Sequence, residues 1–362
     1  MMAQIAAKLL TIRPYQKSRR VFTIIYTPSF SKFAKLGTYT QYPSPTMLRN
    51  RLISKYFLTL IFIGGLALSS HASNTPLSIK NADQKISLRF ELGINDRQRT
   101  RLYQWVEHTS AALKTVYGEW PMDHFVTRFE ASRYDRGPVP WGEVSRKSPP
   151  EVKLVVDINA TLDELKEDWT IYHEFSHLLI PYDGGGSRWF SEGLASYYQN
   201  ILQARSGMFD ERRMWQKLYD GFERGRKQTN LKHQDLATIS DGMRKSRNFM
   251  RIYWSGALYW LEADVALRQH DSKMSVDKAL AELRRCCVNH SLSAQQLSNR
   301  LDALTQTTIF SDLFKKYARS HAIPDYQALL KSLGISQRFG NVRLNNDANL
   351  SKLRHSIYQG EH

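Results

Sequence analysis

The run His173-Glu174-Phe175-Ser176-His177, with Glu192 fifteen residues beyond the second histidine, constrains this 362-residue chain more than any other feature. On a helix, residues four apart share one face, with Cβ atoms about 5–6 Å apart. Two imidazoles placed this way grip one metal ion, and a third ligand must then come from an element packed close by. The spacing therefore asks for two consecutive helices pressed together between residues 173 and 192, next to a cleft.

The surrounding pattern supplies those elements. Thr161-x-x-Glu164 reads as a capping box that opens a helix, and Leu162, Leu165, Trp169 and Tyr172 continue its apolar side. Pro181 ends it, and Ser187 stands at the N-cap of a second helix from Arg188 to about Arg205. Ala195 is small and falls roughly on the face of Glu192, and Gly193 relieves crowding, so the two helices can approach. Trp189 and Tyr197 are expected around the site.

Before this helical pair, Ile86, Leu88, Phe90 and Leu92 alternate as a strand, residues 96–117 show helical spacing, and 124–132 and 152–158 read as strands. Residues 137–142 read as turns. After it, helices are expected at 210–226, 248–269, 276–287, 294–304, 310–320 and 325–333, with Ser275 and Ser293 as caps and Gly334 as a stop. Residues 228–247 read as a loop. The expected fold is α+β: a small mixed β-sheet N-terminal lobe at 73–160, a mainly helical lobe at 161–344 and a polar tail at 345–362.

The charge of +17 points at first to nucleic acid, but residues 1–72 carry ten Lys or Arg and no acid. Removing those ten from 51 basic residues leaves 41 against 34 acidic ones, or +7, an ordinary surface on which no nucleic-acid partner is expected. Residues 47–72 read as a signal peptide: Arg49, Arg51 and Lys55 precede an apolar core from Tyr56 to Ser69, and Ser70-His71-Ala72 ends on a small residue. The core is shorter than the ~20 residues of a spanning helix, so no stable membrane span is expected after cleavage. This predicts an exported protein, periplasmic or secreted, with Met47 as the true start and residues 1–46 a non-native upstream extension. Cys286 and Cys287 are the only cysteines. Adjacent on a helix, they point apart and are expected to pack without bridging.

The chemistry implied by the motif is metal-assisted hydrolysis. His173, His177 and Glu192 would hold Zn2+ with one position open, and Glu174 would take a proton from the activated water. The substrate class is a peptide or protein. A second reading keeps the same zinc group in a non-enzymatic envelope binding protein, which would bind metal and cleave nothing.

His173 to His177 together with Trp189-Phe-Ser-Glu192-Gly-Leu-Ala-Ser-Tyr-Tyr198 resembles the gluzincin metallopeptidases, and most of all the catalytic domain of the glycyl aminopeptidase family. Tyr253-Trp-Ser-Gly256, Asp264-Val-Ala-Leu-Arg268, Phe314-Lys-Lys-Tyr-Ala-Arg and Ile323 to Gly334 are similar to that family's later segments. The resemblance implies a thermolysin-like zinc peptidase core and makes Tyr253 the phenol that stabilises the tetrahedral intermediate. The gap from His177 to Glu192 is shorter than in the large aminopeptidases, and Gly137 to Gly142 is a weak match to a substrate edge strand. Aminopeptidase and endopeptidase action both stay open.

Overall fold

The computed structural model describes residues 77–360, so the expected signal segment and the extension before it lie outside the described residues. Five strands form the first sheet: β1 (Ser78–Asn81), β2 (Gln84–Phe90), β3 (His124–Ala131), β4 (Trp141–Ser145) and β5 (Glu151–Val156). Their order is β1-β2-β3-β5-β4, with parallel pairing at β2–β3 and β3–β5 and antiparallel pairing at both edges. The sheet is thus mixed, as the sequence predicts. Helix α1 (Asp96–Lys114) starts at a capping box on Asn95 and provides the crossover from β2 to β3. It packs on the sheet through Trp105 and Phe129, whose ring centres lie 6.2 Å apart.

Helices then dominate. The short α2 (Leu162–Glu167), α3 (Thr170–Ser176) and a 3-10 turn (His177–Leu179) lead to α4 (Arg188–Arg205) and α5 (Glu211–Lys227). The segment read as a loop contains α6 (Leu236–Asp241) and α7 (Met243–Ser246). The long α8 (Phe249–His270) crosses α4 and is followed by α9 (Val276–Cys287), α10 (Ala294–Thr305), α11 (Ile309–Ala318) and α12 (Gln327–Ser332). A hairpin of β6 (Ile335–Arg338) and β7 (Asn341–Leu344) precedes α13 (Ala348–Gln359). None of the described helices is long and apolar enough to cross a membrane.

The two-lobed α+β architecture matches expectation; several details differ, each for a local reason. Leu92 lies beyond the end of β2 and is 97% exposed. β4 begins at Trp141, inside the segment 137–142 expected to turn, because pairing with β5 overrides the weak strand propensity of Gly142 and Glu143. The predicted continuous helix over 161–180 breaks at Asp168, whose extended backbone (ψ 138) and side chain, accepting the Thr170 N–H at 2.7 Å, favour a new helix start. The expected polar tail folds as α13 instead, with Ile357 and the Arg354 side chain buried. Arg354 donates to Glu211 at 2.8 Å and to the carbonyls of Leu333 and Asn345.

Cys286 and Cys287 are joined in a disulfide, where packing without a bridge was expected. The pair forms the last two residues of α9, with Cys287 buried and Cys286 exposed. Ser187 is at the N-cap of α4 but in the left-handed region (φ 60), with no capping bond from its side chain. The exposed N–H groups are served from α6 instead: Asp241 accepts from Ser187 N at 2.6 Å, and Ser240 Oγ accepts from Trp189 N at 2.8 Å.

The helical lobe is built on the α4–α8 crossing. A Cβ on Gly256 would lie 2.0 Å from the Trp189 carbonyl oxygen, and one on Gly193 would lie 2.2 Å from the Gly256 carbonyl carbon. The two backbones are in direct contact, which only paired glycines allow. Gly193 therefore relieves crowding against α8. Around the crossing, Trp189, Phe190, Tyr259, Trp260, Phe314 and Tyr317 form one aromatic cluster, with Trp189 and Phe314 centred 5.1 Å apart. Because the obstacle to a side chain at 256 is backbone, Gly256→Ala is expected to cost about 2–3 kcal/mol. It should lower the urea midpoint with little change in the slope of the transition.

Candidate metal centre

His173 and Glu174 lie in the middle of α3, His177 begins the 3-10 turn, and Glu192 lies in the first turns of α4. The nitrogens of His173 and His177 and a carboxylate oxygen of Glu192 all fall within 4.8 Å of one another. His173 Nε2 is 3.3 Å and His177 Nε2 3.6 Å from Glu192 Oε2. The three residues that the spacing singles out therefore converge as expected.

Each imidazole is held from behind. His173 Nδ1 pairs with Gln199 Oε1 at 2.8 Å, and His177 Nδ1 pairs with Ser191 Oγ at 3.0 Å. With the proton on Nδ1 in each ring, both Nε2 lone pairs face the shared space. Gln199 and Ser191 were not anticipated. They lie seven residues after and one before Glu192 on α4, so one helix carries the carboxylate and both ring acceptors. Helical position relative to Glu192 is the only signal that points to Gln199 in the sequence, since a buried glutamine belongs to no metal motif. Arg146 fixes the turn after α3 by donating to the carbonyls of His177 at 2.9 Å and Ile180 at 3.0 Å.

The electrostatics follow from burial. Burial brings His177 down to about 3, so it is neutral. Burial also opposes charge on His173, but the hydrogen bond to Glu192 and the nearby Glu174 and Glu192 carboxylates raise its affinity for a proton. Glu192 is lowered despite burial, held by His177 and His173. Glu174 is pushed up to about 7, chiefly by burial. The edge strand β4 lies against it: a Cβ on Gly142 would be 2.6 Å from Glu174 Cγ. The Thr170 hydroxyl, donating to the Val139 carbonyl at 3.2 Å, ties α3 to the chain just before β4.

Tyr253 reaches the site from α8, with its ring centre 5.8 Å from that of His173. Trp189 and Tyr197 do not line it. Trp189 is fully buried in the aromatic cluster, and the Tyr197 hydroxyl donates to Asp264 at 2.8 Å. Trp169 takes the place expected of them, its ring edge-on to His173 at 5.4 Å.

Residues 184–259 match the family described as M61 glycyl aminopeptidase. The segment runs from the loop before α4 into α8 and contains Glu192 and Tyr253. No curated protein matches the chain in sequence. Among solved structures, an aminopeptidase N family protein from Idiomarina loihiensis superimposes with a TM-score of 0.52 at 17% identity, covering 72% of this chain and 49% of that one. An M1 zinc metallopeptidase from Deinococcus radiodurans gives 0.45 at 14% identity, covering 69% and 52%. The chain thus spans about half the length of these structures. The chain shares the fold of that aminopeptidase N family structure, and its matched segment is similar to the glycyl aminopeptidase family. The resemblance to that family seen in the sequence is upheld over the matched segment.

Asp168, at the break before α3, is pushed up to about 6 by burial, which outweighs its bonds to Thr170. A carboxyl raised above its unfolded value of 3.8 favours the folded state when protonated. Its contribution is complete below about pH 4 and is lost as the pH rises through about 6. Asp168→Asn keeps an acceptor for Thr170 and removes the charge. Chemical denaturation should find it more stable than the parent at pH 7.5, by up to about 3 kcal/mol, with the difference closing near pH 4.

Proposed function

We propose that the chain is an exported zinc-dependent peptidase, with His173, His177 and Glu192 as metal ligands and Glu174 as general base. The convergence of those three ligands, with both Nδ1 atoms engaged elsewhere, is the observation that carries this reading. The donor set suits the ion: two neutral imidazoles and a carboxylate are a catalytic zinc set that leaves a fourth position for solvent or substrate. Zn2+, when bound, supplies an acidified water and polarises the scissile carbonyl.

The other steps belong to the chain. Glu174, poised at about 7, accepts the proton of the attacking water and passes it to the leaving amine. Its carboxylate is packed between α3 and β4, which keeps it out of bulk water and fixes its direction. Tyr253, whose ring centre is 5.8 Å from that of His173, is in this reading the phenol that donates its hydrogen to the developing oxyanion. β4 is an edge strand, hydrogen-bonded on one side to β5, so its other edge offers backbone groups to an extended peptide beside Glu174. Export rests on the basic and apolar pattern of residues 47–72.

Glu174→Gln should leave zinc content unchanged and lower peptide hydrolysis by several orders of magnitude. Metal analysis alongside digestion of a mixed peptide library tests this, and undiminished cleavage would overturn the mechanism. The product termini also separate aminopeptidase from endopeptidase action. Gln199→Leu removes the acceptor behind His173 and should weaken zinc about 10–100-fold, measured by competition with a chelator.

A further inference from the structure

We propose that Trp169 is a specificity-determining residue, an apolar wall of the cleft that selects a large apolar side chain beside the scissile bond. The inference builds on the peptidase reading and goes beyond it to the substrate class. Its sequence position suggests core packing, but the residue is 40% exposed. Trp169 precedes α3 by one residue and His173 by one helical turn, so the two share the face that His177 continues. The indole stands edge-on to the His173 ring, with centres 5.4 Å apart and planes at 89°.

Single exposed apolar residues are ordinary on a protein surface. Leu77, Leu92, Tyr134 and Phe339, the other large ones among the described residues, lie at strand ends and turns. Trp169 differs because it is in contact with a ring of the metal group. Trp141, at the start of the edge strand β4, instead has its ring covered by Lys153 Nζ at 4.7 Å. Tyr253 lies against His173 at 5.8 Å with planes 33° apart, and Phe249 lies 6.4 Å from Tyr253. The first histidine is therefore bordered by aromatic rings from the residue that caps α3 and from α8. A substrate side chain laid against Trp169 would remove apolar area from water on both partners, and an aromatic one would gain a ring contact as well.

The test uses the full chain loaded with zinc and two dipeptide hydroxamates that differ only in a benzyl or a methyl side chain. Calorimetry should show the benzyl compound binding about 10–200-fold more tightly to the parent. In Trp169→Ala that ratio should fall to about 3-fold or less, with zinc content and methyl-compound affinity unchanged, while Trp169→Phe keeps most of it. Equal binding of the two compounds by the parent overturns the proposal. So does an unchanged ratio in Trp169→Ala, or an equal loss of both affinities. A chain that keeps the ratio but cleaves no peptide refutes the peptidase reading and leaves the selective wall standing.

Discussion

Two helices touch backbone to backbone at Gly193 and Gly256, and the geometry of the site follows from that contact. Gly193 directly follows Glu192, so the closest approach of α4 to α8 fixes the height and rotation of the helix at the residue bearing the carboxylate. The same helix carries Ser191 and Gln199, which hold the two imidazoles, and α8 brings the Tyr253 ring beside that of His173. A side chain at either glycine would push the helices apart by more than an ångström, a distance over which metal coordination does not survive.

Burial gives the site its chemical character. The carboxylate of Glu174 and the ring of His177 are both enclosed, and the same desolvation acts on them in opposite directions. It makes the glutamate a better proton acceptor near neutrality and keeps the imidazole neutral. β4 contributes to this enclosure through Gly142, where the absent side chain lets the strand rest on Glu174. The partners behind both histidines are themselves neutral, so they hold each ring's direction without adding charge.

Much of this was legible in the sequence because helical spacing carries it. His173, His177 and Glu192 could be placed together from periodicity and intervals alone, and the α+β order came from the switch between alternating and helical patterns. What was hidden depends on long-range contacts. β4 is a strand because β5 lies beside it. α6 was taken for loop because the segment around it is polar, yet Ser240 and Asp241 serve the start of α4 about fifty residues earlier in the chain. Gln199 and Ser191 have no chemical signature until the histidines are in place. Trp169 misled for the opposite reason, since its spacing fits the core while the break at Asp168 turns it outward.

The far end of α4 adds a further consequence. Arg205 there is paired with Asp277 at 2.8 Å, both side chains almost wholly buried, and it also donates to the carbonyls of Ile357 and Tyr358. The ligand-bearing helix thus takes its cap from residues near 240, its crossing from 256, its counter-charge from 277 and its last latch from α13. During synthesis from the N-terminus, residues 173–192 emerge long before any of these partners. Contacts so distant along the chain mature slowly, so the His173–His177–Glu192 group would be among the last features of the molecule to take shape.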